Sequence, residues 1–133
     1  ITNNLLALES LHELPQGRVT VLGGDLRPGS MATFGPAAMA MLERLSADKV
    51  FVSADGVVAG RGLCEASASQ AYLKDLMIRQ AAEVFVLADA SKLGRDQQQY
   101  WTPLNTRWTL ITTGSAEQLA DFDGDPRVIQ QRL

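Results

Sequence analysis

Cysteine and histidine are nearly absent from the 133 residues, which hold a single cysteine, Cys64, and a single histidine, His12. A lone cysteine cannot close an internal disulfide. One of each cannot supply the four ligands of the usual Cys and His zinc site either, so a reducing compartment, the cytoplasm, and no structural metal are expected. Basic charge is also short, with 12 Lys and Arg against 15 Asp and Glu and a net charge of -3. A duplex-binding surface needs excess positive charge to neutralise phosphates, so these residues are not expected to hold DNA by themselves. Long apolar runs are missing: no stretch of about 18 uncharged apolar residues could span a bilayer. The opening residues also lack the charged, apolar and small-residue order of a secretory signal. No dinucleotide-type glycine fingerprint and no P-loop pattern occurs, so neither mode of phosphate binding is supported.

What is present reads as globular. With 46% hydrophobic and 20% charged residues, the length suits one ordinary core and one domain. Ala7, Leu11 and Leu14 recur at helical spacing until Pro15 and Gly17 interrupt them, which predicts a first helix. The β-branched run Arg18 to Leu22, ending in Gly23-Gly24, predicts a buried strand. Pro36 suits a helix first turn, and Ala38, Met41, Leu42 and Leu45 continue as one apolar stripe. Lys49 to Ala54 lacks polar alternation and is expected to be a strand covered on both faces. Ser67 and Gln70 have capping-box spacing ahead of Leu73, Leu76, Met77 and Ala81, a third helix. Val84 to Ala88 and Trp108 to Thr112 read as strands, followed by a short helix near Ala116 to Ala120. This alternation predicts an α/β domain with a mainly parallel sheet flanked by helices on both faces.

In such sheets ligands bind beyond the carboxyl ends of the strands, where loop amides and helix N-termini converge. Thr2-Asn3-Asn4, Gly23-Gly24 with Arg27, Asp55-Gly56, Asp89 with Ser91 and Lys92, and Thr112-Thr113-Gly114 fall there, and all are small, polar or charged. Turns and caps prefer the same residue types, which is the plainer explanation for any one loop. Taken together they suit a polyhydroxylated phosphate ester: glycines let N–H groups approach an anion, Arg27, Lys74 and Lys92 supply positive charge, and Asp55 and Asp89 accept from hydroxyls. Lys74 reads equally well as a solvated helix lysine. His12 reads as a surface residue, and Trp101 and Trp108 as packing for the last strand and its preceding loop. Cys64, beside Glu65 and without a basic neighbour in sequence, has no evident cause for a reactive thiolate.

Thr2-Asn3-Asn4, the run VTVLGGDLRPGSMATFGP from Val19 to Pro36, ADKVFVSADGV from Ala47 to Val57, Gly62-Leu63, Lys74 with Met77-Ile78, and LADASKLG from Leu87 to Gly94 form an ordered set of motifs. Together, over Ile1 to Thr113, they resemble the C-terminal effector domain of DeoR-type bacterial transcriptional regulators. The resemblance implies a fold related to ribose-5-phosphate isomerase and the CoA transferases, and a sensor rather than an enzyme, without a cofactor. It also implies a phosphorylated sugar as effector, repression as the commoner mode of control, and operator binding only through an N-terminal winged helix-turn-helix. Asn3, Asn4, Gly23, Gly24, Arg27, Asp55, Gly56, Lys74 and Lys92 are the positions it places around the ligand. Two departures stand out. Gln70-Ala71 replaces the family's frequent Glu-Ala pair, and the strand and Gly-Thr-Thr-like phosphate loop that usually precede the Thr-Asn pair are not among these residues. The chain beginning at Ile1 is therefore expected to be one effector-sensing domain, truncated at its N-terminus. An even-numbered homo-oligomer is expected, because DNA-binding domains work in symmetric pairs. The alternatives are a sugar-phosphate isomerase, with Asp55 or Asp89 as general base and Lys92 steadying an enediolate, and a ligand-free oligomerisation domain.

Overall fold

The computed structural model describes residues 1–13, 16–124 and 126–131. They form two compact units, Ile1–Ser46 and Ala47–Leu133.

In the first unit a short hairpin pairs β1 (Asp25–Arg27) with β2 (Ala32–Phe34), antiparallel. Its turn is a 3-10 turn over Pro28–Ser30, closed by Met31 in the left-handed region at φ 46°. The first helix, α1, covers only Leu8–Leu11, and the expected continuation through Leu14 and Pro15 lies outside the described residues. Helix α2 spans Pro36–Leu42 with Pro36 in its first turn; of the expected apolar stripe it buries Ala38 and Leu42, whereas Met41 is exposed and Leu45 lies beyond its end. Leu22 and Ala32 are buried in the same unit, and the Thr33 hydroxyl donates to the Leu22 carbonyl at 2.6 Å.

The Arg18 to Leu22 strand does not form. Among the described residues this run makes only an isolated parallel bridge between Thr2 and Val21. The physical reason is its partner: after Thr2 the chain bridges to Ala32 through Asn4 instead, and Asn4 Oδ1 then accepts the Leu6 N–H at 2.9 Å in an Asx turn.

The second unit contains the parallel sheet. Strands β3 (Ala47–Val52), β6 (Ala81–Ala88), β8 (Trp108–Thr112) and β9 (Arg127–Gln130) lie in the order β3-β6-β8-β9, each pair parallel. Between β3 and β6 the chain makes β4 (Gly56–Val58), β5 (Gly62–Glu65) and helix α3 (Ala68–Arg79). Strand β7 (Tyr100–Thr102) joins β4 and β5 in a three-stranded antiparallel sheet ordered β4-β5-β7. Ser67 caps α3, its hydroxyl accepting the Gln70 N–H, but the helix ends at Arg79, and Ala81, expected on its apolar stripe, opens β6 instead. A further short helix, α4 (Ala116–Leu119), carries a full capping box from Ser115 and Gln118.

Alternate residues of the sheet, Val84, Val86 and Ala88 on β6 and Trp108 and Leu110 on β8, enter one core with Val52, Val57, Leu63, Ile78 and Phe122. Trp108 meets the Phe122 ring edge-on at 6.4 Å. The expectation that Lys49 to Ala54 is covered on both faces is corrected here. The strand ends at Val52, has β6 as its one neighbour among the described residues, and leaves Phe51 59% exposed, stacked on Phe85 at 4.9 Å. An apolar run without alternation does not distinguish an edge strand from a central one, because burial on the second face depends on what lies over it. No helix among the described residues is long and apolar enough to cross a membrane.

Candidate ligand site at the strand ends

Because β3, β6 and β8 run parallel, the segments that follow them, Ser53 to Asp55, Asp89 to Lys92 and Thr113-Gly114, leave the sheet at one edge. Here the fold places its buried charges. Lys74, on α3, forms an ion pair through its Nζ with Oε1 of Glu65, the last residue of β5, and also donates to the backbone carbonyl of Ser53. The two side chains are 14% and 2% exposed, respectively. Burial pushes the Lys74 ammonium down from 10.5 to about 8; Asp55 works against that shift, the Lys92 charge reinforces it, and Cys64 raises it slightly. The reading of Lys74 as a solvated helix lysine is corrected: its side chain is largely covered and lies within the electrostatic reach of both Asp55 and Lys92.

Backbone contacts fix these neighbours. Asp55 Oδ2 accepts the Ala66 N–H at 3.1 Å, and its own N–H donates to the Cys64 carbonyl at 3.1 Å, so the corner after β3 is bonded to the end of β5. Gly56 is required by close approach: a Cβ there would run into the Arg95 carbonyl and Cys64 Sγ. The Cys64 thiol donates to that same carbonyl at 3.2 Å, and the Gly94 N–H donates to the Val57 carbonyl at 2.8 Å. The loop after Lys92 is thus held against β4. The Asp89 carboxylate accepts from the Ser91 hydroxyl at 2.5 Å and the Ser91 N–H at 2.8 Å, bonds that hold it below its ordinary value. The Ala90 N–H donates to the Thr113 hydroxyl at 3.0 Å, tying the ends of β6 and β8 together.

Four of the expected ligand positions, Asp55, Gly56, Lys74 and Lys92, therefore belong to this edge of the second unit. Asn3, Asn4, Gly23, Gly24 and Arg27 belong to the first unit, and three of them have structural duties there: Asn4, through its turn to Leu6, and Asn3 and Gly24. The Asn3 side-chain amide donates to the Thr33 carbonyl at 3.0 Å, and Gly24, at φ +127°, leaves no room for a Cβ against the Phe34 carbonyl. Gly23 faces open space, and Arg27 lies on the exposed face of β1. Glu65 and the Ser53 carbonyl were not identified from sequence. A signal for Glu65 existed: it is an acid closing the run Gly62-Leu63-Cys64, all of which is buried. No spacing rule links a strand end to a lysine in the second turn of the next helix. Among the described residues no group of three or more His, Cys, Asp and Glu side chains converges on a point that could hold a metal.

Comparison with known proteins places this geometry in a family context. Residues 1–113 match the family described as the DeoR C terminal sensor domain. The HTH-type transcriptional regulator GlpR of Haloferax volcanii is 33% identical over 118 residues, covering 88% of this chain and 46% of the relative. A lactose phosphotransferase system repressor of Streptococcus mutans is 30% identical over 95 residues, 71% of this chain and 38% of the relative. The HTH-type transcriptional regulator IolR of Bacillus subtilis is 25% identical over 113 residues, 85% of this chain and 45% of the relative. The chain spans about half the length of such relatives or less. These relatives are transcriptional regulators and not enzymes. The α/β fold, the mainly parallel sheet and the motif order agree with the match, and the chain belongs to the DeoR C terminal sensor domain family.

Proposed function

We propose that residues 1–133 act as the effector-sensing domain of a sugar-responsive transcriptional regulator and bind a phosphorylated sugar at the edge carrying Lys74 and Lys92. The observation that carries this reading is the buried Lys74 ammonium, set between Glu65 and Asp55 and within reach of a second cation, Lys92. Two cations suit a phosphate, and carboxylates beside them suit the hydroxyls of the same molecule. Asn3, Asn4, Gly23, Gly24 and Arg27, all in the first unit, are proposed as ligand positions on the family resemblance alone.

Sensing then requires only that the ligand favour one of two arrangements of the protein. A ligand shifts such a balance by its difference in affinity for the two states, and the same coupling changes operator affinity. Operator contact falls to a helix-turn-helix outside these 133 residues, and repression, in the cytoplasm and by a symmetric homo-oligomer, is the mode we propose. The isomerase alternative finds no support in the geometry: the Asp55 carboxylate holds the Ala66 N–H and the Asp89 carboxylate holds Ser91.

Calorimetric titration with glucose 6-phosphate, fructose 6-phosphate, fructose 1-phosphate and glycerol 3-phosphate tests the reading. Saturable binding of at least one is expected. Lys92→Ala should weaken it without lowering the thermal midpoint, and the absence of any binding would count against the proposal.

A further inference from the structure

Helix α4 lies beyond residues 1–113, which match the sensor family, yet its first turn reaches back to the candidate site. Gln118 uses both ends of its amide. Its Oε1 accepts the Ser115 N–H at 3.0 Å, completing the capping box, and its Nε2 donates at 2.9 Å to the carbonyl of Ala90, in the turn that carries Lys92. A glutamate would complete the box equally well, because the box needs only an acceptor there. The bond to Ala90 needs the amide. The carbonyl that Gln118 holds shares a rigid peptide plane with the Ser91 N–H, which donates to Asp89 Oδ1 at 2.8 Å. The preceding peptide is held too, since the Ala90 N–H donates to the Thr113 hydroxyl. The next N–H groups are also engaged within the protein: Lys92 with the Asp89 carbonyl, Leu93 with the Ala90 carbonyl, Gly94 with the Val57 carbonyl and Arg95 with the Lys92 carbonyl. From Ala90 to Arg95 the backbone therefore keeps no spare donor to cradle an anion, and what this loop can offer a phosphate is the Lys92 ammonium. The backbone beneath Lys92 sets where that ammonium can reach.

We propose that Gln118 is a positioning residue of this site, holding the Ala90–Ser91 peptide so that the turn presents Lys92 to an anionic ligand. The inference rests on the sugar-phosphate reading above and adds how one of its cations is aimed. A hydrogen bond between neutral groups biases the turn only modestly, so losing it should lower the binding-competent fraction, and affinity with it, about two- to tenfold.

Gln118→Met and Ser115→Ala separate positioning from helix capping without adding charge beside an anion site. The first removes the bond to Ala90 together with one half of the capping box; the second removes the other half, in which the Ser115 hydroxyl accepts the Gln118 N–H, and leaves Ala90 held. Gln118 is exposed, so methionine fits in its place. Calorimetry on wild type and both variants gives the affinity for glucose 6-phosphate, fructose 6-phosphate, fructose 1-phosphate and glycerol 3-phosphate. Carboxyl NMR titration reads Asp89, which the Ser91 hydroxyl and N–H hold below its ordinary value. Gln118→Met should weaken the best-bound probe about two- to tenfold and let Asp89 rise toward the ordinary carboxylate range. Ser115→Ala should do neither. Equal losses in the two variants mean that Gln118 serves only the helix, and overturn the proposal. Unchanged affinity in Gln118→Met overturns it too and leaves the sugar-phosphate reading intact. Lost affinity with Asp89 unmoved makes Gln118 a ligand contact instead, which also overturns the positioning role. A wild-type chain that binds none of the probes overturns both this proposal and the sugar-phosphate reading.

Discussion

At the residue scale, Lys74 carries the most weight. Burial holds its ammonium near 8 rather than 10.5, so in the ligand-free protein it loses its proton as pH rises through 8. A phosphate monoester is already fully ionised there, since its second ionisation lies near pH 6. Affinity for a bound sugar phosphate should therefore fall steadily above pH 8 in titrations across the alkaline range, and a flat profile would remove Lys74 from the anion contact. Gly56 makes a different point. Gly56→Ala forces a Cβ onto the Arg95 carbonyl and should cost about 1–3 kcal/mol in a urea unfolding experiment, the range for overpacking a filled site. From sequence, Gly56 stood out as part of an anion loop, yet its close contact is with protein backbone. Lys74 was ambiguous for a related reason: helical spacing gives a residue's face, and what packs over that face comes from β5, which spacing does not report.

At the element scale, long periodic segments were legible and short ones were not. Helices α2 and α3 and strand β8 follow from stripe, cap and β-branched run. Strands β7 and β9, of three and four residues, escape because their pairing rather than their composition creates them. Strand β7 is also fastened to α3, since the buried Thr102 hydroxyl donates to the Ala71 carbonyl at 3.0 Å. Thr102→Val preserves shape and removes that bond, so unfolding stability should drop by about 1 kcal/mol. A change indistinguishable from zero would mean that strand and helix hold together by packing alone. The Arg18 to Leu22 run teaches the converse. Strand-like composition without a continuous partner gives only a bridge at Val21.

At the scale of the whole molecule, the order of elements made the α/β class and the edge of the parallel sheet readable in advance. The ion pair at that edge was not, because Glu65, Lys74 and the Ser53 carbonyl meet only after β3, β5 and α3 are in place. The two units should also differ in resistance to opening. Strands β6 and β8 have neighbours on both sides and face the main core, so their amides should exchange most slowly with solvent, and those of the β1–β2 hairpin faster. Equal protection throughout would contradict that ranking. The central claim is that the cations of this edge, Lys74 and Lys92, bind a phosphorylated sugar. Its most direct test is calorimetric titration of wild type and Lys74→Met with the sugar phosphates named above at pH 7. Saturable binding by wild type is expected, with a loss of about tenfold or more in the variant, the worth of a charge-assisted hydrogen bond. Equal affinity in the two proteins, or no binding by wild type to any of them, would contradict it.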